Sequence, residues 1–177
     1  MCLFASGASA AECSQASQTE RWVPKQFPKH LGALNSNGEP RAAGGGCGVS
    51  VAYAFEEEGL VCTLFVYDGG RADIGTGTTA AVEAEFPQVL AAIDDKSDPW
   101  LGAKTLKPAL EARVATFTLR DGQLESMALL TGYRGQFLKL RCTNPSASAG
   151  AKRAMWGFVT AVGERLDQLI TKAPSEK

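Results

Sequence analysis

Between Thr131 and Thr143 the chain reads TGYRGQFLKLRCT. Arg134, Lys139 and Arg141 supply cations here, with Tyr133 and Phe137 beside them. Guanidinium and ammonium groups bind carboxylates and phosphates, and arginine adds bidentate geometry. The alternation has period two. Leu138, Leu140 and Cys142 share one face of a strand, and Phe137, Lys139 and Arg141 share the other. The leucines are therefore expected against a core and the cations in water. Such a charged face also discourages edge-to-edge strand pairing, and that protective role is the simpler reading of the cations. A second polar cluster, Asp68-Gly69-Gly70-Arg71, follows an apolar strand. Loop tips on a rigid sheet commonly carry binding. Joined to the Tyr133-Arg134 turn, this loop gives a candidate binding surface of Asp68, Arg71, Tyr133, Arg134, Lys139 and Arg141.

Other chemistries find less support. A histidine-activated nucleophile rests on the single histidine, His30, in a Pro-flanked segment without a GxSxG elbow anywhere in the chain. No catalytic residue is assigned. A hydrolase is the rival reading, with Tyr67, Asp68, Arg71, His30 and Tyr133 in a cleft between the sheet and the N-terminal segment. A carrier of a lipid or small hydrophobe is the third, and it requires an apolar cavity under the sheet. Asp94, Asp95 and Asp98 lack calcium-loop spacing, and Glu56-Glu57-Glu58 reads as a solvated hairpin tip, so no metal is expected. IGTGTT precedes a helix but lacks the Walker lysine, and no cofactor is expected.

These groups must be held by regular elements. The stretch from Trp22 through Pro24, Phe27 and Pro28 to Leu31 and Leu34 predicts an irregular or edge-strand segment pinned by its large apolar residues. NSNGEPRAAGGG predicts a mobile loop. GVSVAYAF alternates and LVCTLFVY is apolar on both faces, which predicts a strand and an interior strand closed across Phe55 and Leu60. That register sets Tyr53 opposite Cys62. Thr78 or Thr79 is expected to cap a helix carrying Val82, Phe86, Val89, Leu90 and Ile93, with Pro87 kinking it or marking its start. Trp100, in the ambiguous WLGAKTLKPAL, is expected to plug the core. Strands at 113–120, 123–131 and 136–143 follow, the first two joined by a two-residue Asp121-Gly122 turn. A long amphipathic helix carries Met155, Phe158, Val159, Val162, Leu166, Leu169 and Ile170. The order β-β-α-β-β-β-α implies an α+β domain, a largely antiparallel sheet flanked by two amphipathic helices. It occupies 22–173, after a lead-in at 1–21 and before a tail at 174–177.

The chain has 177 residues and a net charge of −1. This suits one domain with its own core and disfavours general nucleic-acid binding. No apolar run reaches the roughly 20 residues of a membrane helix. MCLFASGASAAEC is leader-like in part: Ala8-Ser9-Ala10 suits signal peptidase, but a basic start is missing. Either a longer leader extends upstream and completes it, or the stretch is merely a small-residue tail. A periplasmic or secreted location is expected, with the cytoplasm as the alternative. Removal of the first ten residues would leave Cys13, Cys47, Cys62 and Cys142 of the five cysteines. None is in CxxC spacing, and their pairing is open, although Cys47 and Cys62 fall too far apart along the first hairpin to bridge.

Three segments, GCGVSVAYAF, LFVYDGGRADIGTGTTAAVEAEF and LLTGYRGQFLKLRCT, resemble a group of small exported bacterial proteins of unknown function. The resemblance spans roughly Phe27 to Leu166. The general shape is similar to the PsbP/Mog1 class, whose members generally act as binding or assembly factors. The resemblance implies a non-catalytic binding or assembly factor of the cell envelope. Its partner would be a protein or an anionic envelope component.

Overall fold

The structure is a computed structural model that describes residues 28–43, 48–71, 73–94, 96–108 and 110–169. The leader-like stretch, Trp22, Phe27, Cys2, Cys13 and Cys47 lie outside these residues. Among the described residues, nine strands form one sheet: β1 (His30–Leu31), β2 (Leu34–Ser36), β3 (Arg41–Ala43), β4 (Gly48–Phe55), β5 (Leu60–Tyr67), β6 (Trp100–Lys107), β7 (Leu110–Leu119), β8 (Leu124–Tyr133) and β9 (Gln136–Pro145). Helices α1 (Ala80–Ala91) and α2 (Ala149–Leu169) complete the α+β fold. The spatial order is β1-β2-β4-β5-β9-β8-β7-β6, with β3 also on β4, and every pairing is antiparallel.

The strong sequence signals give the expected elements. β4 and β5 pair with Phe55 opposite Leu60 and Tyr53 opposite Cys62. Their tip, Glu56–Glu58, is a short 3₁₀ turn closed by Gly59 in the left-handed region. Thr79 caps α1, accepting from the Val82 N–H at 3.5 Å and donating to the Ile74 carbonyl at 2.6 Å. Pro87 lies on the exposed side inside α1 and does not end it. Ser148 caps α2 by accepting from the Ala151 N–H, and its hydroxyl donates to Glu58 at the β4–β5 tip.

Each helix covers its own face of the sheet. α2 buries Met155, Phe158, Val159, Val162 and Leu166 against Leu64, Leu129, Leu138 and Leu140. α1 buries Val82, Phe86 and Val89 against Tyr67, Ala128, Leu130 and Phe137 on the opposite face. Each large apolar side chain removed from water contributes about 1.5–3 kcal/mol. Leu138 and Leu140 are thus buried as expected, but under α2 alone. Phe137, expected beside the solvated cations, is fully buried under α1.

Four expectations are corrected. The segment expected as a mobile loop contributes β2 and β3, because the long outer edge of β4 offers backbone partners to both short pieces. WLGAKTLK is the edge strand β6, and Trp100 is 63% exposed, its indole lying along the strand over Gly102. The β7–β8 connection is four residues long, since Leu119 pairs with Leu124, and Arg120 joins Asp121 and Gly122 at positive φ. The two-residue hairpin turn is instead Arg134-Gly135 between β8 and β9, with φ of 50° and 81°. Gly132 is therefore a strand residue. Its missing side chain lets the loop before α1 approach, and Gly77 and Gly132 exchange backbone hydrogen bonds of 2.8 and 3.0 Å.

Candidate functional site

The cations of β9 sit in the middle of the sheet. β9 runs between β5 and β8, far from either edge, so Lys139 and Arg141 cannot guard an edge. That protective role falls to the Lys104 and Lys107 positions on the edge strand β6. The register sets Phe65 opposite Lys139, Thr63 opposite Arg141 and Tyr67 opposite Phe137, all on the α1 face. This face is only partly roofed. The covered part contains Phe137 and Leu130, while Val61 is exposed toward the other end of β5. Lys139 and Arg141 lie between these regions, and both are half-buried rather than turned fully to water.

Aromatic rings back both charges. The Lys139 ammonium is 4.1 Å from the Phe65 ring centroid and 5.5 Å from that of Tyr67. The Arg141 guanidinium is 4.9 Å from the Phe117 ring, and its Nε donates to Ser126 Oγ at 3.0 Å. Ser126 Oγ also donates to the Cys142 carbonyl at 2.7 Å and lies 2.8 Å from Thr143 Oγ1. Among the described residues, neither cation forms an ion pair with an acid. Burial lowers the pKa of Lys139. The field of Glu85 works against that shift, and that of Arg141 works with it. Burial lowers Arg141 as well.

α1 supplies the opposite wall. Tyr67 donates its hydroxyl to Glu85 Oε1 at 2.8 Å. Burial first, and then the Glu85 charge and hydrogen bond, push the Tyr67 phenol far above its ordinary range. Tyr67 is therefore a neutral donor, which holds Glu85 in place at the groove. Glu83, two residues earlier on α1, is committed elsewhere, in an ion pair with Arg113 at 2.6 Å. The resulting open groove has a volume of about 370 Å³, with Ser50, Phe65, Tyr67, Glu85, Gln88 and Lys139 among its lining residues. Its chemistry is that of a cation on an aromatic floor, with amide, hydroxyl and carboxylate groups at the rim. Among the described residues, no three potential metal ligands converge.

The six sequence-predicted residues divide among different places. Asp68 is buried, and its Oδ1 accepts from the Gly70 N–H at 2.8 Å. Arg71 pairs with Asp73 through two 3.0 Å contacts. The β8–β9 turn touches the same connection further along, at Thr76, whose Oγ1 accepts from the Arg134 N–H at 3.2 Å. Tyr133, however, belongs to the α2 face and accepts from Lys107 Nζ at 3.0 Å, while Lys139 and Arg141 occupy the α1 face. The hydrolase residues are also dispersed. His30 lies on edge strand β1, with Nδ1 2.5 Å from Asn35 Oδ1, and β2 and β4 separate β1 from β5. Sequence reasoning passed over Phe65, Phe117, Ser126 and Glu85. Alternation in β5 carried a signal for Phe65 and Tyr67, but the identity of the neighbouring strand did not appear in it.

Cys62 and Cys142 face each other across β5 and β9 and form a fully buried disulfide, with Cα atoms 4.0 Å apart. It lies on the α2 face, behind the two cations. Among the described residues, no helix is long and apolar enough to cross a membrane. No protein-family model matches the chain, and no curated protein matches it.

Proposed function

We propose that this protein is a non-catalytic binding or assembly factor of the cell envelope, and that it captures an anionic group of its partner over Lys139 and Arg141. The observation that carries the reading is two half-buried cations at the centre of a sheet, with no acid paired to either among the described residues. Holding charge out of water is unfavourable unless an opposite charge meets it. The aromatic faces offset part of that cost, about 0.5–2 kcal/mol for each contact. A carboxylate or phosphate arriving from a partner would offset more and would restore both pKa values. The rings beneath the cations confine access to one side, so the anion arrives from the open half of the α1 face.

The buried Cys62–Cys142 bond supports residence in an oxidising compartment, where such bonds persist, and so supports export. The PsbP/Mog1-like resemblance implies binding or assembly roles of the same kind. The test uses phosphatidylglycerol vesicles and a glutamate-rich decapeptide as separate probes, at low and high salt. Wild type should bind at least one, and more weakly at high salt. Replacing both Lys139 and Arg141 with Met should weaken that binding by about tenfold or more. Failure of wild type to bind either probe, or equal binding by the double variant, would refute the reading.

A further inference from the structure

Glu85 and Lys139 line the α1-face groove from opposite walls, one on α1 and the other on β9. Among the described residues, neither forms an ion pair with the other or with any other charged group. Each is held in its own place. The Tyr67 hydroxyl donates to Glu85 Oε1 at 2.8 Å, and the Lys139 ammonium rests 4.1 Å from the Phe65 ring centroid. The two charges still feel one another, since the field of Glu85 raises the Lys139 pKa against the effect of burial. Arg71 feels Glu85 as well, but Asp73 holds it at 3.0 Å. One groove of about 370 Å³ thus presents a fixed anion and a fixed cation. A simple anion that meets Lys139 is repelled by Glu85, and a simple cation meets the reverse. A ligand carrying both charges satisfies both.

The surroundings of each charge set the kind of ligand. A quaternary ammonium is recognised by aromatic faces, but the Phe65 and Tyr67 rings already carry the Lys139 ammonium. The α1 wall offers hydrogen-bond acceptors in their place. Gln88 lies three residues after Glu85, on the same helix face, and lines the groove too. Its amide nitrogen donates to the Ala84 carbonyl at 3.3 Å, so its oxygen is the remaining polar atom beside the Glu85 carboxylate. A primary ammonium has three N–H donors for such acceptors, and a trimethylammonium has none. On the floor, Arg141 follows Lys139 two residues later on the same face, about 7 Å along the strand. A phosphate directs its oxygens in three dimensions and reaches both cations, whereas a carboxylate directs its two in one plane.

From this arrangement we propose that the α1-face groove binds a phosphoethanolamine group, with its phosphate on Lys139 and Arg141 and its primary ammonium on Glu85. The proposal rests on the capture of an anion over Lys139 and Arg141, and it adds the cationic half of the ligand. Free phosphoethanolamine and the head group of phosphatidylethanolamine share this chemistry.

NMR titration of the isotope-labelled full chain compares three soluble probes that differ only at the amine: O-phosphoethanolamine, O-phosphocholine and ethyl phosphate. Phosphoethanolamine should bind with a Kd of about 1 mM or tighter and shift the Glu85 and Lys139 amides. It should bind about fivefold or more tightly than either other probe. Glu85→Gln keeps the side-chain size and removes the charge. It should bring the three probes within about twofold of one another, with ethyl phosphate bound no more weakly than by wild type. The wild-type series needs no variant, so the test stands even if Glu85→Gln does not fold. Cosedimentation with vesicles of phosphatidylethanolamine and phosphatidylcholine in equal parts, against phosphatidylcholine alone, assigns the source. Binding to the mixed vesicles identifies the lipid head group, and binding of the soluble probe without them identifies the free compound. Equal affinity of wild type for phosphoethanolamine and ethyl phosphate, or for phosphoethanolamine and phosphocholine, would overturn the proposal. So would a preference that survives in Glu85→Gln, or no binding of phosphoethanolamine up to about 10 mM. If phosphatidylglycerol vesicles or the decapeptide still bind through Lys139 and Arg141 in that event, the anion site stands without the ammonium; if they do not, both fall.

Discussion

The Cys62–Cys142 bond joins residues 80 positions apart in the chain, and its removal should cost far more than a local contact. In the chain-entropy account, closing a loop of that length removes roughly 15 cal/mol/K from the unfolded ensemble, or about 4.5 kcal/mol at room temperature. The two cysteines are already direct partners in the β5–β9 ladder, so reduction leaves the backbone pairing in place. The expected loss therefore comes mainly from the freed unfolded chain. The comparison should use one sequence, oxidised and reduced, with Cys2, Cys13 and Cys47 replaced by Ser so that no other pair can form. Same-sequence comparison also avoids any change in side-chain volume. With a urea slope of about 2 kcal/mol per molar, the midpoint should fall by about 2 M on reduction. A shift below about 0.5 M with an unchanged slope would refute the reasoning, because the loop would then contribute little of its calculated entropy.

Lys139→Met should leave stability equal or higher in urea unfolding, since it removes a half-buried charge that has no acidic partner among the described residues. The wild-type Lys139 pKa is lowered in the fold, so its contribution to stability should increase as pH rises from the folded pKa to the unfolded one near 10.5, and this increment should vanish in Lys139→Met. Tyr53 and Tyr67 behave oppositely. Burial pushes Tyr53 up to about 12 and Tyr67 higher, so ultraviolet titration should find both protonated at pH 10.5, and the stability they add below pH 10 should be lost as pH climbs through their folded values. Tyr67→Phe should cost about 1 kcal/mol by removing the hydrogen bond to Glu85, measured by thermal unfolding at neutral pH. Gly132→Ala should cost about 1–3 kcal/mol, because its Cβ would meet the carbonyl oxygens of Ile74, Gly75 and Gly77 at 3.0–3.2 Å; hydrogen exchange should show the Gly77 amide losing protection.

Local patterns in the sequence determine much of this protein. Period-two alternation places Leu138 and Leu140 on one face of β9 and Lys139 and Arg141 on the other. Phe55 and Leu60 close the first hairpin in the register their alternation implies, and Thr79 caps its helix. These features depend on neighbours within a few residues. The tertiary structure decides what alternation leaves open. It seats β9 beside β5 in the interior, bonds Cys62 to Cys142, and gives each face its own helix. It also leaves Trp100 on an edge, where hydrophobicity alone suggested a core. The physical reason is that a strand's side-chain period defines two faces but names neither the layer that covers each nor the distant strand that pairs alongside. Those choices come from long-range packing, and they convert a row of apparently solvated cations into a half-buried pair on aromatic rings.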